Sequence, residues 1–301
     1  VVIRAWLEVH GYVDDLAWSS FGPGRANGTM HPIRFGDLVL LLGFLSLAGS
    51  LYIRDVKSWM RAVGVLAFFC GLYASLLSQS RGGWIAIPAL LAIVLWPVFR
   101  DLQLKNKFVL VLAIIIGVTI MFNMPGLKTK QRIDQAVIDI DQYWQHGNSK
   151  TSIGSRFDMY ETAYALFLQK PLFGVGVGNY RENSANYFES NKDRMSREVI
   201  IWDNPHNEIL LQMATRGLVG LVVLVMLFLS GIIIFFTHLR QYDRDTLFYA
   251  VSGLMVLVAY MHFGMSIALF KHRDFILFFV IYILLFSAGV HKGAVLSEKT
   301  L

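Results

Sequence analysis

The sequence predicts an all-α integral membrane protein, with about seven transmembrane helices in this chain and one large, mostly helical loop outside the bilayer. Three observations carry that prediction. Hydrophobic residues make up 55% of the 301 residues and charged residues only 16%, against about 25% charged in soluble domains. The apolar residues fall in repeated runs close to the roughly 20 residues a helix needs to cross a bilayer. No stretch alternates strand-like with helix-like patterns, so no nucleotide-binding α/β domain is expected.

Residues 1–35 are polar and aromatic, carry no signal-peptide pattern and start at Val1, so further sequence ahead of them is expected. Apolar runs follow at 36–53, 62–79, 83–99 and 108–124. Pro88 and Pro97 lie in the third, where a kink is expected because spanning helices tolerate proline. Residues 125–206 form the large loop, runs at 217–237, 247–269 and 274–290 complete a second bundle within 207–290, and 291–301 is a tail.

Charge at the joints sets the orientation. Arg54, Lys57, Arg61, Arg100, Lys105, Lys107, Arg240, Arg244, Lys292 and Lys299 occupy alternate joints and the tail, whereas the opposite short joints hold only Arg81, Lys271 and Arg273. The positive-inside rule places the first set in the cytoplasm. Residues 1–35, the turn at Arg81, the loop 125–206 and the turn at 271–273 then lie outside. The overall charge of +6 does not by itself imply nucleic acid, because where the charges lie decides their meaning. The loop carries ten Lys/Arg and ten Asp/Glu, which argues against a polybasic lipid binder. With Cys70 the single cysteine, no intrachain disulfide is possible.

Within the loop, 155–169 is expected to be a helix. Ser155 is its cap, Asp158 stands three residues on, and Phe157, Tyr160, Tyr164, Phe167 and Leu168 form its apolar face. Pro171 and Gly174 end it, and the Gly-rich GVGVGN at 174–179 reads as a tight turn that brings the loop back.

Three polar constellations stand at the outer ends of spans. In SQSRGGW, 78–84, Arg81 sits where two spans meet, and a guanidinium there suits a phosphate or lipid headgroups. In GSRFDMY, 154–160, Arg156 falls in the first helical turn, an end that attracts anions; the alternative is a surface pair with Asp158 or Glu161. In DNPHNE, 203–208, Asn204 and Pro205 read as cap and first residue of a helix. His206 is then its second residue, kept neutral by the dipole and able to accept a proton, with Asp203 or Glu208 to orient it. The alternative is a cluster that only caps a helix. Asp139-Ile140-Asp141 has a D-x-D form without a nucleotide fold around it, and the histidines show no zinc spacing, so no metal or cofactor is expected. His262, inside the sixth apolar run, is an ionisable group that either has a role there or is packed neutral.

Taken in order, the SRGG turn, the loop opening in S-R-F, the G-V-G-x-G-N turn and N-P-H-N-E before a span with GLVG resemble the bacterial O-antigen ligase superfamily. That superfamily also holds O-antigen polymerases and protein O-oligosaccharyltransferases. The stretch GRANGTMHPIRFGDL, 24–38, looks like the segment before the corresponding span. The resemblance runs from about Arg25 to about Gly289 and implies the C-terminal part of a roughly twelve-helix fold, with further spans ahead.

It also implies a glycosyltransferase without a metal cofactor at the periplasmic face of the bacterial inner membrane. Glycan would pass from undecaprenyl diphosphate to a sugar hydroxyl on the lipid A core, with inversion. Arg81 and Arg156 would hold the diphosphate and His206 would activate the acceptor, with Arg25, His31 and Asn207 as further substrate-binding residues. A polymerase or protein transferase differs only in its acceptor. A transporter of lipid-linked sugar, the reading from another class, should carry polar groups deep in several spans; here they gather outside.

Overall fold

The computed structural model describes residues 2–10, 25–28, 30–123, 129–195, 198–240 and 243–298. Gly24 and Thr29 of the 24–38 stretch, the end of the expected run 108–124, and Lys299 lie outside these residues. Among the described residues every regular element is helical. The elements divide into two compact units, one from residues 1–130, 231–262 and 278–301, the other from 131–230 and 263–277.

The first unit begins with α1 (Val2–Val9), α2 (Pro32–Tyr52) and α3 (Ser58–Ser78). α2 and α3 pack at small residues: a Cβ on Gly71 would stand 2.5 Å from the Val39 carbonyl oxygen, the close approach that membrane helices exploit. Arg61 donates to the carbonyls of Ser50 at 2.6 Å and Ile53 at 2.9 Å, so one basic side chain satisfies groups left open at the end of α2. α4 (Arg81–Trp84) and α5 (Ile87–Asp101) form one span in two pieces. The break precedes Pro88, which occupies the first turn of α5, while Pro97 lies inside the helix; a proline in the first turn forfeits no helical bond. α6 (Leu104–Phe122) exposes Phe108, Val109, Val111, Leu112 and Ile116.

The second unit holds α7 (Thr129–His146), α8 (Gly154–Gln169), α9 (Tyr180–Glu189) and α10 (Glu198–Ile201). α11 (Glu208–Phe236), α12 (Arg244–Phe263) and α13 (Arg273–Glu298) complete the chain, with a 3-10 turn at Leu269–Lys271. Among the described residues six helices are long and apolar enough to cross a membrane: α2, α3, α4 with α5, α11, α12 and α13. The expected run 108–124 falls on α6, several of whose side chains lie outside the described residues. α2 and α12 are mostly buried, and the other four expose most of their apolar surface.

Three sequence expectations need correction. α8 starts at Gly154, so Ser155 lies inside the helix; Thr151 Oγ1 accepts from Gly154 N at 2.9 Å instead. The buried face of α8 is Asp158, Met159, Thr162, Ala163 and Leu166, whereas Tyr164 and Leu168 are exposed. Small residues let neighbouring elements approach that face closely, which an aromatic count overlooks. Finally, the run 247–269 is helical only to Phe263. The carbonyls of Gly264 and Met265 turn out to accept from Glu208 N at 2.7 Å and Tyr160 Oη at 3.2 Å.

Candidate active site

In the first unit the SRGG turn is built on a left-handed residue, but not a glycine. Gln79 has φ 56° and ψ 28°, and it ends α3 by donating to Leu76 O at 2.9 Å. Gly82 and Gly83 follow in helical geometry. Gly83 serves packing: a Cβ there would lie 2.4 Å from Oδ1 of Asp37, a carboxylate fully buried in α2. Arg25 straps the turn, with Nε donating to Ser78 O at 3.0 Å and Nη2 to Ser80 Oγ at 3.4 Å. Half-buried Arg81 opens α4 immediately after this strapped turn. His31 caps α2, its Nδ1 accepting from Ile33 N at 3.2 Å. Arg25 and Arg81 thus share one turn, and His31 stands at the start of the helix that carries Asp37.

In the second unit the segment 203–208 is clasped by the residues between α12 and α13. Asp203 pairs with Lys271, and Asn207 Nδ2 donates to Met265 O at 3.5 Å. α11 begins at Glu208, later than expected, and its cap is Asn207, whose Oδ1 accepts from Leu210 N at 3.1 Å. Asn204 is not the cap. Its side chain accepts from His206 N at 2.9 Å, an Asx turn that holds His206 at φ 50°. Left-handed backbone is uncommon outside glycine, and strained residues of this kind concentrate at functional sites.

His206 therefore lies outside the helix, and the helix dipole is not what controls it. Burial comes first, followed by the positive charges of Arg156, His272 and Lys271; together they push its pKa from 6.5 down to about 4. The ring packs edge-on to Trp202 at 4.9 Å. Its Nδ1 is buried without a hydrogen-bond partner among the described residues. Neither acid expected to orient it does so. Burial works against the Asp203 carboxylate, but Lys271 holds it below its ordinary range, and Glu208 is fully engaged by Gln212 Nε2 at 2.6 Å and Phe270 N at 3.1 Å.

Arg156 occupies the first turn of α8, where its N–H donates to Ile153 O at 3.0 Å. It pairs with neither expected acid: Tyr143 reaches Asp158 at 3.4 Å, and Arg194 holds Glu161 at 2.9 Å. Among the described residues the Arg156 guanidinium has no ion pair or hydrogen bond, and its charge acts on His206. The structure thus brings Arg156, His206 and Asn207 together and adds Lys271 and His272. The sequence reading missed those two, although K-H-R at an outer joint was a visible signal. Asp139 and Asp141 do not converge: one is buried against Gln135, the other exposed. His262 turns to its own helix, its Nδ1 donating to Val258 O at 2.7 Å.

α11 is not one continuous helix. Gly217 has φ 63° and ψ −152°, a region open only to glycine. The segment after α8 fills the gap. Val175 N and Gly176 N donate to the carbonyls of Ala214 at 2.8 Å and Thr215 at 3.0 Å, while Leu218 N and Val219 N donate to those of Pro171 at 2.7 Å and Leu172 at 3.2 Å. Four backbone groups freed by the break, the carbonyls of Ala214 and Thr215 and the N–H groups of Leu218 and Val219, are paired in this way, as a membrane segment requires. GVGVGN is therefore a docking turn as well as a return.

A family model described as O-antigen ligase matches residues 66–225, a range that contains Arg81, Arg156 and His206. An uncharacterized protein of Haemophilus influenzae is 29% identical over 82% of this chain and 61% of its own length. An O-antigen ligase of Escherichia coli is 27% identical, covering 70% of this chain and 48% of the relative. A ComP-specific O-oligosaccharyltransferase of Acinetobacter baylyi is 22% identical over 79% and 41%. The chain spans about half the length of the curated relatives it matches. With more than half of its residues inside the family's model, the chain belongs to the O-antigen ligase family.

Proposed function

We propose that the protein transfers a glycan from a lipid diphosphate, undecaprenyl diphosphate in bacteria, to a sugar hydroxyl of the lipid A core, at the periplasmic face of the inner membrane. The observation that carries the reading is His206. Its ring is neutral at physiological pH, has a buried nitrogen with no hydrogen-bond partner among the described residues, and feels the charges of Arg156, Lys271 and His272. That is an anion site with a proton acceptor inside it.

In this reading 1–35, 125–206 and the joint at 271–273 face the periplasm, and the joints rich in Lys/Arg face the cytoplasm. The acceptor oxygen attacks the anomeric carbon, the bond from that carbon to the phosphate oxygen breaks, and the diphosphate leaves with the electron pair. The hydroxyl proton goes to His206. One displacement inverts the centre and needs no second carboxylate. Arg156 holds the phosphate oxygens; Arg81 is assigned the same role, with Arg25 and His31 fixing its turn and helix and Asn207 fixing the start of α11. A bound diphosphate offsets the repulsion from Arg156, His272 and Lys271, so donor binding raises the basicity of His206.

The test is incubation of the full-length protein with lipid-linked glycan and separate acceptors: lipid A core, a free glycan chain, and a serine-bearing peptide. Covalent product with the first is expected. Product only with the glycan makes the protein a polymerase. The peptide arm follows from similarity to a protein transferase, and product there alone assigns that activity. Donor binding without product in any arm supports transport.

A further inference from the structure

The proposed reaction leaves one buried carboxylate unused. Glu208 is only 3% exposed at the start of α11, two residues beyond His206. Burying a charge is costly unless its partners are well placed, and an apolar residue would start the same helix without that cost. The partners of Glu208 show what the carboxylate is for.

Both ends of the joint between α12 and α13 are tied to this one residue. Glu208 N donates to Gly264 O at 2.7 Å, where the chain leaves α12. Glu208 Oε2 accepts from Phe270 N at 3.1 Å, inside the 3-10 turn Leu269–Lys271 that leads into α13. That turn needs an acceptor from elsewhere. Its cap, Ala268, makes no side-chain bond, and the first N–H groups of a helical turn have no partner within it. The other carboxylate oxygen accepts from Gln212 Nε2 at 2.6 Å, and Arg216 Nη1 fixes that amide by donating to Gln212 Oε1 at 2.8 Å. The helix of Glu208 thus aims the carboxylate, and the joint uses it.

The residues that follow Phe270 are Lys271 and His272, two of the three cations that act on His206. The third, Arg156, comes from α8, and Asp203, in the histidine's own segment, opposes them. Lys271 also pairs with Asp203, but that carboxylate is 54% exposed, and exposed pairs hold weakly. The bonds to Glu208 are shielded from water and charge-assisted, which is the stronger class.

We propose that Glu208 is a positioning residue: it pins both ends of the joint 264–270 and so holds Lys271 and His272 at the His206 site. The role rests on the transfer reaction proposed above, in which those cations meet the donor's diphosphate.

The experiment follows the titration of His206 without any transfer, by NMR of the full-length protein carrying labelled histidine in detergent. The His206 signal is the one lost in His206→Ala. The acid limb of kcat/KM is measured alongside. Glu208→Leu keeps most of the bulk and accepts no hydrogen bond. It should raise the His206 midpoint by about one pH unit from about 4, and the limb with it. Glu208→Gln, which keeps an oxygen for Phe270 N, should return both to the wild-type values. Gln212→Leu removes the carboxylate's other partner and leaves the joint tied, so the midpoint should stay in place. In a background carrying Lys271→Met and His272→Asn, adding Glu208→Leu should change nothing further. An unmoved midpoint in Glu208→Leu overturns the proposal. So does an equal rise in Gln212→Leu, which would report a general loosening of the helix start, and so does a Glu208→Leu shift that persists without the two cations. If the midpoint moves as expected and no glycan is ever transferred, the tether stands and the transfer reading fails.

Discussion

His206 shows how a residue can be visible in sequence while its physics is not. DNPHNE marks it, but the expected control by a helix dipole fails because Asn207, not Asn204, caps the helix. What sets its protonation is burial, then Arg156, His272 and Lys271, which the chain brings in from distant positions. The depressed pKa has a definite sign: the ring is neutral above about 4 and becomes charged as pH falls through that value. The acid limb of kcat/KM, which reports the free enzyme, should therefore lie near 4 rather than near 6.5. The limb of kcat should lie higher, because a diphosphate bound as proposed favours the charged ring. Both limbs at the ordinary histidine value would detach His206 from the rate. The arginines make a separate prediction. Lysine keeps the charge and loses the planar fork, so Arg156→Lys and Arg81→Lys should each lower transfer roughly ten- to a hundredfold, at about 1.5–3 kcal/mol per charged hydrogen bond. Near wild-type rates at unchanged protein level would leave that arginine a point charge or a structural group.

Among elements, the break in α11 was the least legible. A run of apolar residues with GLVG inside it reads as one span starting at 217, because composition cannot show that one glycine is left-handed. The partner strand of backbone, Pro171–Gly176, is remote in sequence and was legible only as a turn. The broken joint predicts unequal glycine costs. A Cβ at Gly217 would lie 2.5 Å from Leu172 O, and one at Gly174 would lie 2.4 Å from Arg216 N, whereas one at Gly178 meets nothing within 4 Å although φ is 90° there. Gly178→Ala should cost only the backbone term, on the order of 1–2 kcal/mol. Gly217→Ala and Gly174→Ala must also push backbone apart, and should lower the thermal midpoint in detergent well beyond it. Equal midpoints for the three variants would mean that the docked turn is not rigid. The aromatic face assigned to α8 failed for a related reason: its buried side mixes Met159 and Leu166 with Asp158, Thr162 and Ala163, and the small and polar residues of that side weaken its hydrophobic signature beside the more conspicuous aromatics.

For the whole molecule, the all-helical membrane architecture was readable from apolar runs alone, because crossing a bilayer imposes length and composition together. The joints add orientation. In a Cys70→Ala background, a membrane-impermeant thiol reagent applied from outside should label Asn148→Cys and miss Ser297→Cys; the reverse pattern puts Arg81, Arg156 and His206 in the wrong compartment. How a histidine among cations serves the reaction is tested most directly on one variant. His206→Ala should bind the lipid-linked donor nearly as well as the wild type, since in the proposed reaction Arg156 and Arg81 carry the diphosphate, and should form product about 10²–10⁴-fold more slowly, the usual loss for a general base. Product formed at the wild-type rate by His206→Ala, with donor binding intact, would contradict the account.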